Sequence, residues 1–245
     1  MAEDRIATSD YWRRLLRLDE DGEEDALGKF RYPHRFLRPL FRVFFFFLCR
    51  FYFRLKVKGR ENLPKKHPYI VAPNHCSAMD YPLVAFAMGP ASRDLYVLAT
   101  KFFYDFPLAR FFMKIAANVQ RIDIVDDFLP GLRVAAKILR KGKSIYINPE
   151  GTRSESGNLL PFRPGVGMLA AELNVPVVPV YIHGALEALP AGAPFPRPGN
   201  IEVNFGKPLL MDDYLPKLRS GNAYYVYREI SEELKNRVQQ LKNNY

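Results

Sequence analysis

Beyond residue 55 the chain alternates short apolar runs with longer amphipathic segments, and no other feature limits its fold as much. Short runs rich in Val and Ile suit strands buried on both faces, and the amphipathic segments between them suit the helices that cover such a sheet. The spacing predicts strands over 68–72, 95–99, 118–122, 144–148, 175–182 and 201–205. It predicts helices over 81–88, 103–115, 130–140 and 165–173, with a last one inside 219–241 that starts near Asn222. Pro176 and Pro179 fall in one predicted strand, which is therefore expected to lie at an edge or to start late. Glycine and proline gather over 189–199, as in a surface loop.

With 245 residues, 48% hydrophobic and 25% charged, the chain is long enough and apolar enough for one globular domain. The expected architecture is a single α/β domain over 55–245, with a mostly parallel central sheet flanked by helices. Residues 1–54 precede it as an acidic segment followed by an amphipathic, membrane-docking helix. The sequence contains no internal repeat.

The net charge of +10 is unevenly spread. Residues 1–28 carry four basic and nine acidic side chains, residues 29–66 twelve basic against Glu61 alone, and residues 67–245 twenty basic against sixteen acidic. The basic character is thus one local patch, and it coincides with the most aromatic stretch of the chain, which includes Phe44, Phe45, Phe46 and Phe47. Arginines at 35, 38, 42, 50 and 54 leave no apolar run near the roughly 20 residues that a spanning helix needs. On a continuous helix these arginines fall within about half the circumference, opposite a face of Phe, Leu and Val. Such a helix suits the headgroup boundary of a membrane. A core helix with a solvated basic face is the plainer alternative. Nucleic acid would also accept a basic patch, but four consecutive phenylalanines are greasier than base stacking requires, and no nucleic-acid partner is expected.

Cys49 and Cys76 are too few for a disulfide framework, and a reducing compartment is the default. The acidic start is not a secretory signal, so the expected location is peripheral, on the cytoplasmic face of a membrane. His34, His67 and His183 have no carboxylate or cysteine partners at ligand spacing, so no metal is expected.

Two blocks carry chemistry. In the first, Asn74-His75-Cys76-Ser77-Ala78-Met79-Asp80 follows a predicted strand and precedes a predicted helix, the place where ligands bind in open α/β sheets. His75 and Asp80 would lie about 140° apart on one helix, so they meet only if His75 precedes the helix and Asp80 opens it. A carboxylate on Nδ1 then fixes the tautomer and leaves Nε2 free as a general base. Asn74 and Ser77 are candidate helix caps. In the second block, Pro149-Glu150-Gly151-Thr152-Arg153-Ser154 ends a predicted strand. Arg153 offers a fork for phosphate oxygens, Gly151 allows close backbone approach, Thr152 and Ser154 supply hydroxyls, and Glu150 is placed to hold Arg153 or a substrate hydroxyl. Cys76 is a weaker nucleophile candidate, because nothing around it clearly lowers the thiol pKa. Either block alone is compatible with an ordinary solvated turn.

Together, and in this order, the blocks resemble the signature of the glycerolipid acyltransferases of the lysophosphatidate acyltransferase type, NHxxxxD followed by xPEGTRS. Phe162-Arg163-Pro164-Gly165 is similar to the family's Phe-Lys-x-Gly segment, with arginine in the lysine place. The apolar run around Pro179 is similar to its fourth motif. The likeness covers roughly residues 55–210. It implies catalysis by His75 and Asp80, with Asn74, Arg121, Glu150, Gly151, Thr152, Arg153, Arg163, Gly165 and Pro179 around the substrates. It also implies an acyl-CoA or acyl-carrier-protein donor, a lysophospholipid acceptor at a membrane lipid surface, and no cofactor. The segment around Arg121 departs from the family pattern: the usual glycine is absent, and Asp123 follows the arginine instead of preceding it. That leaves open an acceptor other than 1-acylglycerol-3-phosphate, as well as a non-catalytic membrane-binding module.

Overall fold

The computed structural model describes residues 8–18, 37–100, 118–122, 129–193 and 195–243. Its strands are β1 (Lys56–Lys58), β2 (Ile70–Pro73), β3 (Leu95–Thr100), β4 (Asn118–Ile122), β5 (Ser144–Tyr146), β6 (Val177–His183) and β7 (Glu202–Phe205). They form one sheet in the order β1-β7-β6-β2-β5-β3-β4. Neighbours run parallel except β6 and β7. The helices are α1 (Ser9–Leu15), α2 (Leu37–Phe47), α3 (Asp80–Met88), α4 (Leu129–Arg140), α5 (Gly165–Leu173), α6 (Ala185–Ala188), α7 (Leu215–Ser220) and α8 (Ala223–Asn243). The helix expected over 103–115 lies outside the described residues.

Alternation along the strands divides the core into two layers. Ile70 and Ala72 of β2, Ile145 of β5, and Val177 and Tyr181 of β6 pack against α4, α5 and α8. On the other face, Val71, Tyr146, Val178, Val180 and Ile182 pack against α3 and the segment that carries Cys49 and Phe53. Helix α8 meets its layer through Val226, Tyr227, Ile230, Leu234 and Val238, an apolar stripe at spacings of one, three and four. Gly167 lets α5 approach it closely: a Cβ there would lie 2.2 Å from the Tyr227 carbonyl oxygen.

Strand β6 begins after Pro176, as one of the two expectations had it, but it lies between β2 and β7 instead of at an edge. Pairing with β7 starts at Val180 opposite Phe205, so the missing N–H of Pro179 falls outside that ladder. The Pro179 carbonyl still accepts from Gly206 N at 2.9 Å. Strand β1 was not expected from the sequence. Its Lys-Val-Lys pattern offers one apolar residue, which suits a short sheet edge.

The aromatic stretch departs from one continuous α-helix. Helix α2 ends at Phe47 and is followed by a single π-helical turn over Leu48–Tyr52, closed by Phe53 N donating to Leu48 O at 3.0 Å. Phe45 meets Phe86 edge to face, and Cys49 and Phe53 are fully buried in the second layer. Leu40, Val43, Phe44, Phe47 and Phe51 are each more than half exposed, beside an exposed Arg50. Aromatic side chains therefore occupy both the packed and the exposed sides of this segment. Arg35 and the side chains of Arg38 and Arg42 lie outside the described residues.

Helix α1 belongs to the packed body. Leu16 and Leu18 are buried in the first layer, and Trp12 packs against it. The buried carboxylate of Glu172 on α5 accepts from Ser9 Oγ at 2.7 and 2.8 Å and from the Tyr227 hydroxyl, and Arg13 lies 3.5 Å away.

Candidate active site

Strand β2 ends at Pro73, and the six residues that follow lead into α3, which opens on Asp80. The Asn74 side chain extends the pairing of β2 with β6: its Oδ1 accepts from Ile182 N at 2.7 Å and its Nδ2 donates to Ile182 O at 3.1 Å. Asn74 is thus a strand bracket and not a cap. The Ser77 hydroxyl donates to Leu189 O at 2.9 Å and accepts from Met79 N, just before α3, at 3.3 Å.

His75 and Asp80 meet. The imidazole Nδ1 lies 2.8 Å from Asp80 Oδ2, which also accepts from Cys76 N at 2.8 Å and Ser77 N at 2.9 Å. An oxygen that takes two backbone N–H groups is acting as an acceptor, so the ring nitrogen facing it is the protonated one. In the neutral ring Nε2 then carries the lone pair. The Asp80 side chain is 1% exposed and that of His75 19%, so the carboxylate is enclosed while the ring keeps an open edge. A carboxylate at a helix N-terminus also sits favourably in the helix field.

The second block holds this loop in place. Glu150, itself buried, accepts His75 N at Oε1 (2.8 Å) and Leu160 N at Oε2 (2.9 Å). Ser154 N donates to His75 O at 2.7 Å. Both backbone polar groups of His75 are therefore fixed by the turn after β5. Glu150, which the sequence offers as a partner of Arg153 or of a substrate hydroxyl, has each carboxylate oxygen engaged by a backbone donor in the structure. Burial raises the Glu150 carboxyl above its ordinary range, partly offset by the Leu160 and His75 N–H groups.

Glu150→Gln should accordingly be costly despite its matched shape. The amide nitrogen must face either the His75 or the Leu160 N–H, donor against donor, which costs about 1–3 kcal/mol. Thermal unfolding should show the midpoint falling by several degrees. Turnover should drop as well, because the His75 backbone loses its anchor; an unchanged midpoint would remove this role.

Around this frame lie the remaining sequence candidates. Gly151 has φ +75°, and a Cβ there would meet Arg163 Nε at 2.6 Å, so the close approach it permits is that of Arg163. Thr152, Arg153 and Arg163 are exposed next to the loop. Gly165 opens α5 against Leu132. Pro179 is buried inside β6, away from the strand end. Arg121 lies on β4 opposite Ala99 of β3, and its side chain is outside the described residues. The Cys76 thiol is buried, and burial together with the Asp80 carboxylate pushes its pKa above the ordinary range, which suits packing and not attack.

Tyr146 on β5 was missed. It is buried edge-on against Tyr81, its hydroxyl has no hydrogen-bond partner among the described residues, and burial followed by the charge of Asp80 raises its pKa. An apolar-looking Ser-Ile-Tyr run gives no hint of this. Beside the loop is a cavity of about 290 Å³ lined by the neighbours of His75, Asn74 and Cys76, and by His183, Glu187 and Lys242.

Comparison with known proteins bears on the family and the fold. Residues 54–183 match the family model described as Acyltransferase. The chain is 30% identical over 163 residues to a chloroplastic 1-acyl-sn-glycerol-3-phosphate acyltransferase of Brassica napus, covering 64% of this chain and 46% of that protein. To the 1-acyl-sn-glycerol-3-phosphate acyltransferase alpha of Mus musculus it is 25% identical, covering 74% of this chain and 66% of that protein. The crystal structure of the 1-acyl-sn-glycerophosphate acyltransferase PlsC from Thermotoga maritima superposes with a TM-score of 0.59 at 30% identity, covering 77% of this chain and 72% of that one. The chain spans about half the length of the plant relatives it matches.

Proposed function

The chain belongs to the acyltransferase family, and from that premise we propose that it moves a fatty acyl group from a thioester to the free hydroxyl of a phosphate-bearing lysolipid. The acceptor we assign is 1-acylglycerol-3-phosphate, giving phosphatidate, and the donor is acyl-CoA or acyl-carrier protein. The observation that carries this reading is the His75 Nδ1 held 2.8 Å from an enclosed Asp80 carboxylate, an arrangement that in the neutral ring leaves Nε2 as the free nitrogen, just beyond the end of β2.

In the proposed reaction Nε2 takes the proton of the acceptor hydroxyl as its oxygen attacks the thioester carbonyl. Asp80 stabilises the imidazolium that forms. Collapse of the tetrahedral adduct breaks the C–S bond, and the imidazolium returns its proton to the departing sulfur. No metal or organic cofactor is required, because the thioester is already activated.

Arg153 stands exposed on the turn that grips His75, three residues beyond Glu150. Its guanidinium is the first choice for the acceptor phosphate, with Arg163 and Arg121 as further cations. The test is an assay of the purified protein with labelled acyl-CoA and two acceptors, lysophosphatidate and a monoacylglycerol without phosphate. The parent should acylate lysophosphatidate. Arg153→Ala should lower kcat/KM for that acceptor by about 2–5 kcal/mol, a loss of thirtyfold or more. An equal loss with the uncharged acceptor would sink the phosphate role, and no product from either acceptor would sink the function.

For the surface on which the acceptor resides, we assign the outward face of α2 and the π turn. Five large apolar side chains in contiguous turns beside Arg50 and Arg54 form a patch that water does not favour and an anionic lipid surface does. Among the described residues no helix is long and apolar enough to cross a membrane, and the proposed association is peripheral.

A further inference from the structure

We propose that the loop between α6 and β7 is a second contact with the same lipid surface, with Phe195 as its inserting residue. This inference rests on the docking face assigned above to α2 and the π turn, and extends it to a segment far away in sequence. Among the described residues Phe195 is the most exposed large hydrophobic side chain, at 74%. It sits in a loop dense in proline, which holds a side chain outward without helix or sheet support.

The loop is fastened to the docking segment. Tyr52 Oη, at the end of the π turn, donates to Pro196 O at 2.8 Å, and Gly199 N donates to Tyr52 O at 3.2 Å. Ile201 N donates to Phe53 O at 3.0 Å. Phe195 is thus the residue before a carbonyl bonded to Tyr52, itself the neighbour of Phe51, so its exposed side chain belongs to a loop tied to the docking segment. Its charge surroundings point to the occupant: Arg197 is exposed two residues on, and Arg50 and Arg54 are exposed on the fastened segment. An aromatic side chain flanked by arginines fits an anionic headgroup layer over an acyl region.

The other end of the loop reaches the catalytic segment, where Leu189 O accepts the Ser77 hydroxyl. A loop seated in lipid would thus position the segment that carries His75 and Asp80 close to where the acceptor resides.

The test uses the full chain with vesicles of phosphatidylcholine and phosphatidylglycerol that carry brominated acyl chains. Phe195→Trp and Phe44→Trp are each read by fluorescence against the parent, whose single tryptophan is Trp12. Quenching and a blue shift at both positions, together with about a tenfold weaker vesicle partition for Phe195→Glu, are the expected results. Quenching at position 44 without quenching at 195 would overturn this inference and leave helix docking standing. Quenching at neither would remove both.

Discussion

His75→Ala is expected to lower turnover of lysophosphatidate and acyl-CoA by about 10²–10⁴-fold, the contribution of a positioned general base. The fold should hold, for three reasons. The backbone N–H and C=O of residue 75 remain bonded to Glu150 and Ser154 whatever the side chain. Asp80 Oδ2 keeps two of its three donors, the Cys76 and Ser77 N–H groups. The imidazole is also partly open, so little packing is lost. Thermal unfolding and vesicle sedimentation of the variant should therefore resemble those of the parent while acyl transfer collapses. Retained turnover would dispose of the mechanism. The buried, proton-holding Cys76 is no substitute nucleophile.

How far the sequence foretells this arrangement depends on how local the deciding physics is. Strands β2, β3, β5 and β6 are legible because β-branched runs bounded by turn residues are local signals. The meeting of His75 and Asp80 follows from a five-residue separation and a helix start, again local. Glu150 is a different case. Its carboxylate serves the backbone of a residue 75 positions away, and nothing in the run Asn-Pro-Glu-Gly separates a substrate ligand from a brace. Helix α1 is concealed in the same way, since it is fixed to Glu172 across 163 residues while its own stretch is marked mostly by charge. The π turn at Leu48–Tyr52 is a third instance. Periodicity at 100° per residue assumes one helix type, whereas burying Phe45, Cys49 and Phe53 together is a tertiary demand that outweighs it. The edge position expected for the Pro179 strand fails because a missing N–H excludes only one bond, and β7 stops short of that bond.

Asp80→Asn separates the charge of this residue from its shape, and the separation predicts an effect close to that of removing the base. All three donors converge on Oδ2, so the amide oxygen can occupy that place and continue to accept from His75, Cys76 and Ser77. The amide nitrogen then falls near the Cys76 sulfur, which lies 3.8 Å from Oδ1. The loop geometry should survive with only a modest loss of stability. What disappears is the negative charge facing an imidazole that must become cationic in the transition state, in a site where the carboxylate is 1% exposed and water cannot replace it. The expected outcome is a fall in kcat of roughly 10²–10⁴-fold with the acceptor KM nearly unchanged, because binding of the ground state does not require the ion pair. Asp80→Ala is the contrast. It should lose activity to a similar degree and stability as well, since the Cys76 and Ser77 N–H groups are left without their acceptor at about 1–3 kcal/mol each. A near-wild-type kcat in Asp80→Asn would show that the carboxylate only shapes the loop, and the base would then have to work without a counter-charge.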